Sequence, residues 1–331
     1  MPLKRCSLVA DIGGTNARFA LVAEDGAELI EPRSLPVAGY PGLVDAARAY
    51  LEQAALGEPA RAAISVALPV TGDILNMTNH SWSFSVAETR AALGLDYLKV
   101  LNDYTALALA LPVLTADQCL KVGPGKSLPG HPRAVLGPGT GLGVSGVVPA
   151  GDHWVPLESE GGHVTYGALD ARERQVIEVL REDLEHVSAE SLVSGRGLTR
   201  IYEALTRIEK GEGERLSPGE VSELALAKES ELALEAVSIF CGVLGTVAGN
   251  LALTLGARGG VYIGGGIVLR ILDLFKRSNF RDRFERHGRF TAYLREIPTY
   301  VIDTGYPALT GAVVALGEAY EKLGISSRAG D

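Results

Sequence analysis

Residues 7–26 read SLVADIGGTNARFALVAEDG, and their reading decides the fold. "SLVADI" and "ARFALVAE" are rich in strand-forming residues, Gly13-Gly14 supplies a tight turn between them, and Asp25-Gly26 is a strong hairpin signal. Residues 7–33 therefore read as a strand meander. Outward from it the pattern changes period. "PGLVDAARAYLEQAALG" is a helix stopped at Gly57, and "RAAISVALP" is a buried strand. "SVAETRAALG" is a second helix, with Ser85 and Glu88 at capping-box spacing. "YLKVLND" is a further buried strand, which runs directly into the apolar helix pattern "YTALALALP". Strands and helices that alternate through short loops indicate an α/β domain with a partly parallel sheet.

The second half begins in the same way. "RAVLGPGTGLGVSGVVPAGDHWVPLES" again gives strand, glycine-rich turn, strand, turn and strand, a weak internal echo that suggests two related halves. The Pro- and Gly-rich "VGPGKSLPGHPRA" before it marks a loop near the junction. Residues 171–255 are mainly helical, and "EIPTYVIDTGYPALTGAVVALGEAYEKLG" adds a strand, a turn and a final helix. At 331 residues two domains are expected.

The segment from Ala236 to Ala257 has no charge and carries Gly245 and Gly249 in GxxxG spacing, so it meets the length criterion for a bilayer span. Asn250 and its glycines interrupt it, however, and a strand pattern follows almost at once, which reads as a buried core helix. A formal net charge of −9 argues against a nucleic-acid partner. The three cysteines, Cys6, Cys119 and Cys241, form no CxxC pair, which suits a reducing cytoplasm and offers no zinc spacing. Asp11 breaks the first apolar run, so the N-terminus does not read as a signal peptide, and no membrane partner is expected.

Three glycine-rich turns recur, "ADIGGTNAR", "LGPGTGLG" and "YIGGGI", each directly after a buried-strand pattern. Glycine lets a turning backbone bring N–H donors close to an anion. Any one of them alone is a hairpin turn; three together favour a nucleotide or phosphate site. Two other motifs fail their context. Gly141, Gly143 and Gly146 spell GxGxxG, but a strand follows where a dinucleotide fingerprint must open a helix. Gly125-Lys126-Ser127 resembles the end of a P-loop, but Leu120 stands where its first glycine is required. The first loop adds Asp11 and Thr15 to its glycines, a set suited to a Mg²⁺-nucleotide tail, or, more blandly, to a hairpin whose Asp bonds the turn.

Polar residues accumulate elsewhere. Asn102 and Asp103 stand at a strand end, where an Asp either caps the next helix or does chemistry. "ESEGGHVTYGA" bends at two glycines, so Glu160 and His163 can converge on one ligand. Glu190 lies near a helix start that Ser188 could cap, and alone it reads as a complement to the helix dipole.

In this order the motifs resemble the bacterial glucokinase family, of the proteobacterial and cyanobacterial type, within the hexokinase/actin-like superfamily. The segments that carry the resemblance are "ADIGGTNARFAL", "PVTGDILNMTNHSWSFS", "LNDYTALALALP", "GPGTGLG", "SEGGHV", "SAESLVSGRGL" and "GGGI", from Ala10 to Ile267. "MTNHSW" and "SEGGHV" are far more specific than glycine spacing. The cysteine-rich zinc motif of the sister repressor/open-reading-frame/kinase family is missing. The resemblance implies an actin-like ATPase (ribonuclease H-like) fold with a cleft between a small α/β domain, residues 1–111 plus about 304–331, and a large one, about 112–303. It implies phosphorylation of glucose at O6 by ATP with Mg²⁺, in a homodimer. Asp103 would be the catalytic base and Asn102 would bind sugar hydroxyls beside it. Glu160, His163 and Glu190 would hold other hydroxyls, and Asn79 would border the sugar. Ala10, Asp11, Ile12, Gly13, Gly14 and Thr15 would bind the ATP phosphates, with Asp11 reaching the metal through water. Gly139, Thr140 and Gly141 would form a second phosphate loop, and Gly264-Gly265 would approach the adenosine. Arg196 has no assigned role.

The residue types suit that chemistry independently of the family. Phosphoryl transfer needs a hydroxyl aligned with the γ-phosphate and neutralisation of spreading charge. A carboxylate within reach of the hydroxyl orients it and accepts its proton, for about 10²–10⁴-fold in rate. Carboxylates and a neutral His take several hydroxyl bonds at once, and such a set rejects a sugar that lacks one. Water competes as nucleophile, so closure on sugar binding is expected. The alternatives are a kinase for fructose or mannose, an actin- or chaperone-like ATPase that acts on a protein partner, and a regulatory sugar-binding protein without catalysis.

Overall fold

The computed structural model describes residues 6–23, 26–77 and 80–317; Asp25 of the expected hairpin and Asn79 lie outside the described residues. The chain divides into two compact units. One comprises the residues up to Leu114, Val147–Glu158 and the chain from Thr304 on; the other comprises Thr115–Gly146 and Ser159–Asp303.

The thirteen described strands are, in chain order, β1 (Cys6–Ile12), β2 (Asn16–Ala23), β3 (Ile30–Pro36), β4 (Arg61–Val66), β5 (Ile74–Asn76), β6 (Ser83–Ser85), β7 (Tyr97–Asn102), β8 (Cys119–Val122), β9 (Arg133–Pro138), β10 (Leu142–Ala150), β11 (His153–Leu157), β12 (Val261–Ile263) and β13 (Thr299–Ile302). The first sheet has the order β3-β2-β1-β4-β7. The meander β1-β2-β3 is antiparallel, and β1, β4 and β7 run parallel. The second sheet has the order β11-β10-β9-β12-β13, with β8 added antiparallel at its edge. The echo in the sequence is therefore a repeated topology: three consecutive strands, then two parallel strands added beside the first of them.

Alternation along the strands distributes the first unit's core between two faces. Leu8, Ala10 and Ile12 of β1 and Phe19 of β2 pack with Leu43 and Tyr50 of the helix Leu43–Ala54. Val9, Ala20 and Val22 face the other way, toward the helices Asp103–Ala110 and Pro307–Ala315. Each large side chain buried this way contributes about 1.5–3 kcal/mol. The two helices cross closely, since a side chain at Gly311 would strike the carbonyl of Ala106.

The division of the chain departs from the expected one. The first boundary falls after Leu114, and residues 147–158 return to the first unit. The reason is packing: β11 lies against the helix Asp103–Ala110, and Trp154 packs onto the cluster that includes Leu309 and Val313.

In the second unit the apolar stretch forms the core helix Glu231–Leu255, whose buried face includes Phe240, Val243, Leu244 and Val247. At Gly245 a side chain would collide with the carbonyl of Phe280, so the glycines seat the helix Phe280–Glu285 against it. GxxxG spacing here serves close packing between helices of the core.

Candidate active site

In the first unit the parallel strands end together. The register aligns Asp11 with Ser65 and Ser65 with Leu101, so Asp11, Ser65 and the Asn102-Asp103 pair share one sheet edge. Asp11 alternates onto the face of Val9, the face on which the helix Asp103–Ala110 packs. Its carboxylate accepts from Ser65 Oγ at 3.0 Å and pairs with Arg18 at 2.9 Å. Arg18 and Ser65 were not expected from the sequence; the antiparallel register of β1 and β2, which sets Arg18 directly opposite Asp11, and the parallel register of β1 and β4 bring them there.

Asn102 is the helix cap. Its Oδ1 accepts the N–H groups of Tyr104 at 2.9 Å and Thr105 at 3.2 Å, and its Nδ2 donates to the carbonyl of Leu68 at 3.3 Å. Asp103 occupies the first helical position, half-buried, with Oδ1 accepting the Tyr104 N–H at 2.9 Å. Burial and the neighbouring Asp11 charge raise its carboxyl to about 7, against the opposing pull of these hydrogen bonds. The Tyr104 hydroxyl, buried beside both carboxylates, is pushed far above its ordinary value.

The first glycine loop joins β1 to β2. The Gly13 N–H donates to Asn16 O at 3.0 Å, and Thr15 O accepts from Val37 at 2.9 Å. Among the described residues the N–H groups of Gly14 and Thr15 have no partner, which leaves donors for an anion. In the same unit Trp82 Nε1 donates to Tyr40 O at 3.0 Å, and the Trp82 N–H donates to His80 Nδ1 at 3.2 Å.

The second unit gathers the other residues. Glu160 opens a single turn, Gly161–His163, and its carbonyl accepts the His163 N–H at 3.0 Å; both residues are exposed. The following backbone pairs with the segment before Glu190: the Tyr166 N–H donates to Val187 O at 3.1 Å, and the Ala189 N–H to Val164 O at 2.9 Å. Glu190 Oε2 then accepts the Leu142 N–H at 2.8 Å, and its carboxylate sits where a side chain on Gly141 would be. Gly162 presses equally closely on the Leu142 carbonyl. Glu160, His163, Glu190 and the Gly139–Gly141 loop are thus one assembly. Ser188 caps the short helix that carries Glu190, as expected.

A buried ion pair supports this assembly and was not read from the sequence. Glu173 accepts the Tyr166 hydroxyl at 3.0 Å and the Leu169 N–H at 2.9 Å, and it pairs with Arg283 at 2.6 Å. Both partners are almost fully buried, at 2% and 6% side-chain exposure.

The second and third glycine loops adjoin. The Gly264 N–H donates to Leu136 O at 2.9 Å, and Gly265, at φ +85°, approaches the Pro138 carbonyl where only glycine fits. The Gly139 N–H donates to Gly141 O and the Gly195 N–H to Gly139 O, each at 2.8 Å, while the Thr140 and Gly141 N–H groups have no partner among the described residues. A cavity of 450 Å³ opens there, lined by Thr140, Arg196, Ser222, Ile267 and Arg270 among others. Arg196 lies in the "SGRGL" segment but had no assigned role, and Arg270 was missed because an isolated surface arginine carries no motif. The two decoys behave as their context required: residues 142–150 continue as β10, and residues 125–127 form a loop that opens no helix.

A repeated α/β topology with glycine turns and carboxylates at the ends of parallel strands defines an actin-like ATPase fold. A crystal structure of a glucokinase from an Antarctic psychrotroph matches with a TM-score of 0.86 and 35% identity, over 94% of this chain and 98% of that one. The family model described as glucokinase matches residues 8–319. The chain is 51% identical over 311 residues to the glucokinase of Neisseria gonorrhoeae, covering 94% of each. It is 50% identical over 324 residues to the bifunctional protein glk of Paraburkholderia xenovorans, covering 98% of this chain and 50% of that one. It spans about half the length of the bifunctional relatives it matches. The chain belongs to the glucokinase family.

Proposed function

We propose that the protein transfers the γ-phosphate of ATP to O6 of D-glucose, giving glucose 6-phosphate and ADP. The observation that carries this reading is Asp103: a carboxyl at the end of a parallel strand, raised to about 7, has the proton affinity a base needs near neutral pH. Asp103 accepts the O6 proton as the oxygen attacks phosphorus. Asn102, whose side-chain amide donates to Leu68 O and bonds the Asp103 carboxylate, stands beside the base to contact a sugar hydroxyl. Glu160 and His163 bind further hydroxyls, and Glu190 does so through Oε1 while Oε2 holds Leu142. Asn79 borders the sugar.

The free N–H groups of Gly14 and Thr15 and of Thr140 and Gly141 bind phosphate oxygens. The Ala10–Thr15 segment, including Ile12, sets the first loop's course. The 450 Å³ cavity beside Gly264-Gly265 takes the adenosine. Each oxygen of Asp11 has one hydrogen-bonding partner and a remaining lone pair, which suits a Mg²⁺ held through its water shell. When bound, the metal supplies charge neutralisation at the β- and γ-phosphates. Three free thiols, at Cys6, Cys119 and Cys241, support a cytoplasmic setting, and a homodimer is the assembly we propose.

That relatives carry the name glucokinase supports glucose rather than another hexose as the substrate. ADP release, measured with and without glucose and across a panel with fructose and mannose, tests the reading. Turnover that depends on glucose supports it. ADP release independent of sugar would make the chain an ATPase of the chaperone type, and preferential turnover of fructose or mannose would reassign the substrate.

A further inference from the structure

The cavity assigned to adenosine has a neighbour that this function does not use. A second cavity of 310 Å³ in the same unit is lined by Arg196, Thr199, Arg200, Arg215 and Ser217, and it shares Arg196 and Pro218 with the first. Arg196 and Arg200 lie one turn apart on the helix Gly195–Lys210 and so project from one face. Arg215 arrives from the loop before the helix Pro218–Ala227, and Arg270 adds a fourth guanidinium in the adjoining cavity.

Among the described residues none of these four guanidiniums pairs with a carboxylate. Two neighbouring acids are committed elsewhere. Glu214 accepts the Tyr202 hydroxyl at 3.1 Å and lies 3.5 Å from Lys210, and Glu220 accepts the Ser217 N–H at 2.8 Å. The Thr199 hydroxyl donates to Leu216 O at 2.9 Å, and the Ser217 hydroxyl accepts the Glu220 N–H at 3.3 Å and bonds the Glu220 carboxylate. The lining thus offers three guanidiniums and no carboxylate. Like charges one helical turn apart repel. In a chain of net charge −9, such a cluster is most stable with an anion between its members.

We propose that the Arg196–Arg200–Arg215 cavity is a subsite for a phosphate group, additional to the glycine loops. Planar guanidinium forks match phosphate oxygens two at a time. Adenosine is uncharged, so cations placed beyond its cavity have no role toward it. Two sources supply the same chemistry: a separate small phosphate compound bound beside the nucleotide, or a phosphoanhydride chain that extends from the first cavity through Arg196. The inference uses the proposed nucleotide cavity only as its neighbour and does not depend on which sugar is phosphorylated.

The test is calorimetric titration of the full chain with inorganic tripolyphosphate at about 0.15 M salt, where exposed charges are screened. The wild type is compared with Arg200→Ala/Arg215→Ala, after thermal melts show both folded, and with Arg200→Lys/Arg215→Lys. The expected result is saturable binding that weakens by about tenfold or more in the alanine variant and less in the lysine variant. The KM for ATP should stay within about twofold, since neither residue lines the nucleotide cavity. Equal binding to wild type and alanine variant, or no saturable binding to the wild type, overturns the proposal. Repeating the titration with a saturating non-hydrolysable ATP analogue separates the sources. Retained binding identifies a separate anion, and displacement identifies a chain shared with the nucleotide cavity. Because the readout is binding, it stands whether or not glucose is the substrate.

Discussion

Asn102 and Asp103 share the N–H group of Tyr104: Asn102 Oδ1 and Asp103 Oδ1 each accept it at 2.9 Å. The cap is Asn102, which also takes the Thr105 N–H, so the helix start does not require the Asp103 carboxylate.

The first prediction concerns rate against pH. A base raised to about 7 is protonated and idle below that value. Glucose-dependent kcat/KM should fall about tenfold per pH unit below 7 and level off above it. The inflection should vanish in Asp103→Asn. A wild-type profile that is flat from pH 5.5 to 8.5, by about the ordinary assay range, would show that another group governs the proton.

The same shift has a sign for stability. Between the ordinary carboxyl value of 3.8 and about 7, the folded chain holds a proton that the unfolded chain releases. Asp103 therefore lowers stability as pH rises across that window, by up to roughly 4 kcal/mol, and the cost is fully present above it. Asp103→Asn should melt higher than wild type at pH 8, and the difference should vanish below about pH 3, where the Asp103 carboxyl is protonated in both the folded and the unfolded chain. Equal melting temperatures at both pH values would contradict the shift.

Glu190 joins the sugar set to the second glycine loop. A methyl group at Gly141 must displace its carboxylate from the Leu142 N–H. Gly141→Ala should raise the KM for glucose by roughly 10–100-fold, the effect of about 1.5–3 kcal/mol from one charge-assisted bond, with little change in melting temperature. An unchanged KM would mean that Glu190 does not hold the sugar.

The Glu173–Arg283 pair is buried under the loop that follows His163. Removing one partner leaves an uncompensated charge, so Arg283→Met should destabilise the chain by about 3–5 kcal/mol in denaturant unfolding. Glu173→Gln/Arg283→Met together should cost less than Arg283→Met alone, and a strictly additive loss would deny the coupling.

How much was legible follows from the range of each signal. The meander, the glycine loops and the apolar core helix depend on local periodicity, and Ser7–Ala23 and Glu231–Leu255 show it plainly. The repeated topology was visible only as an echo, because strand order is a non-local property. Asp103 stood out for its strand-end position, but its company did not: Ser65 and Arg18 reach Asp11 through strand register, not through spacing in a motif. The return of residues 147–158 to the first unit depends on Trp154 meeting Leu309 and Val313, more than 150 residues away by about any count of the chain. Arg196, Arg200 and Arg215 are ordinary surface residues in sequence and become a cluster only when the loop before Pro218 folds back.

The most direct test of the central claim is Asp103→Asn measured twice, for glucose affinity by titration and for phosphoryl transfer by ADP release. Loss of the base with the shape kept should leave the glucose Kd within a few fold while kcat falls by about 10²–10⁴-fold. Transfer that continues near the wild-type rate, with glucose bound, would show that Asp103 is not the base.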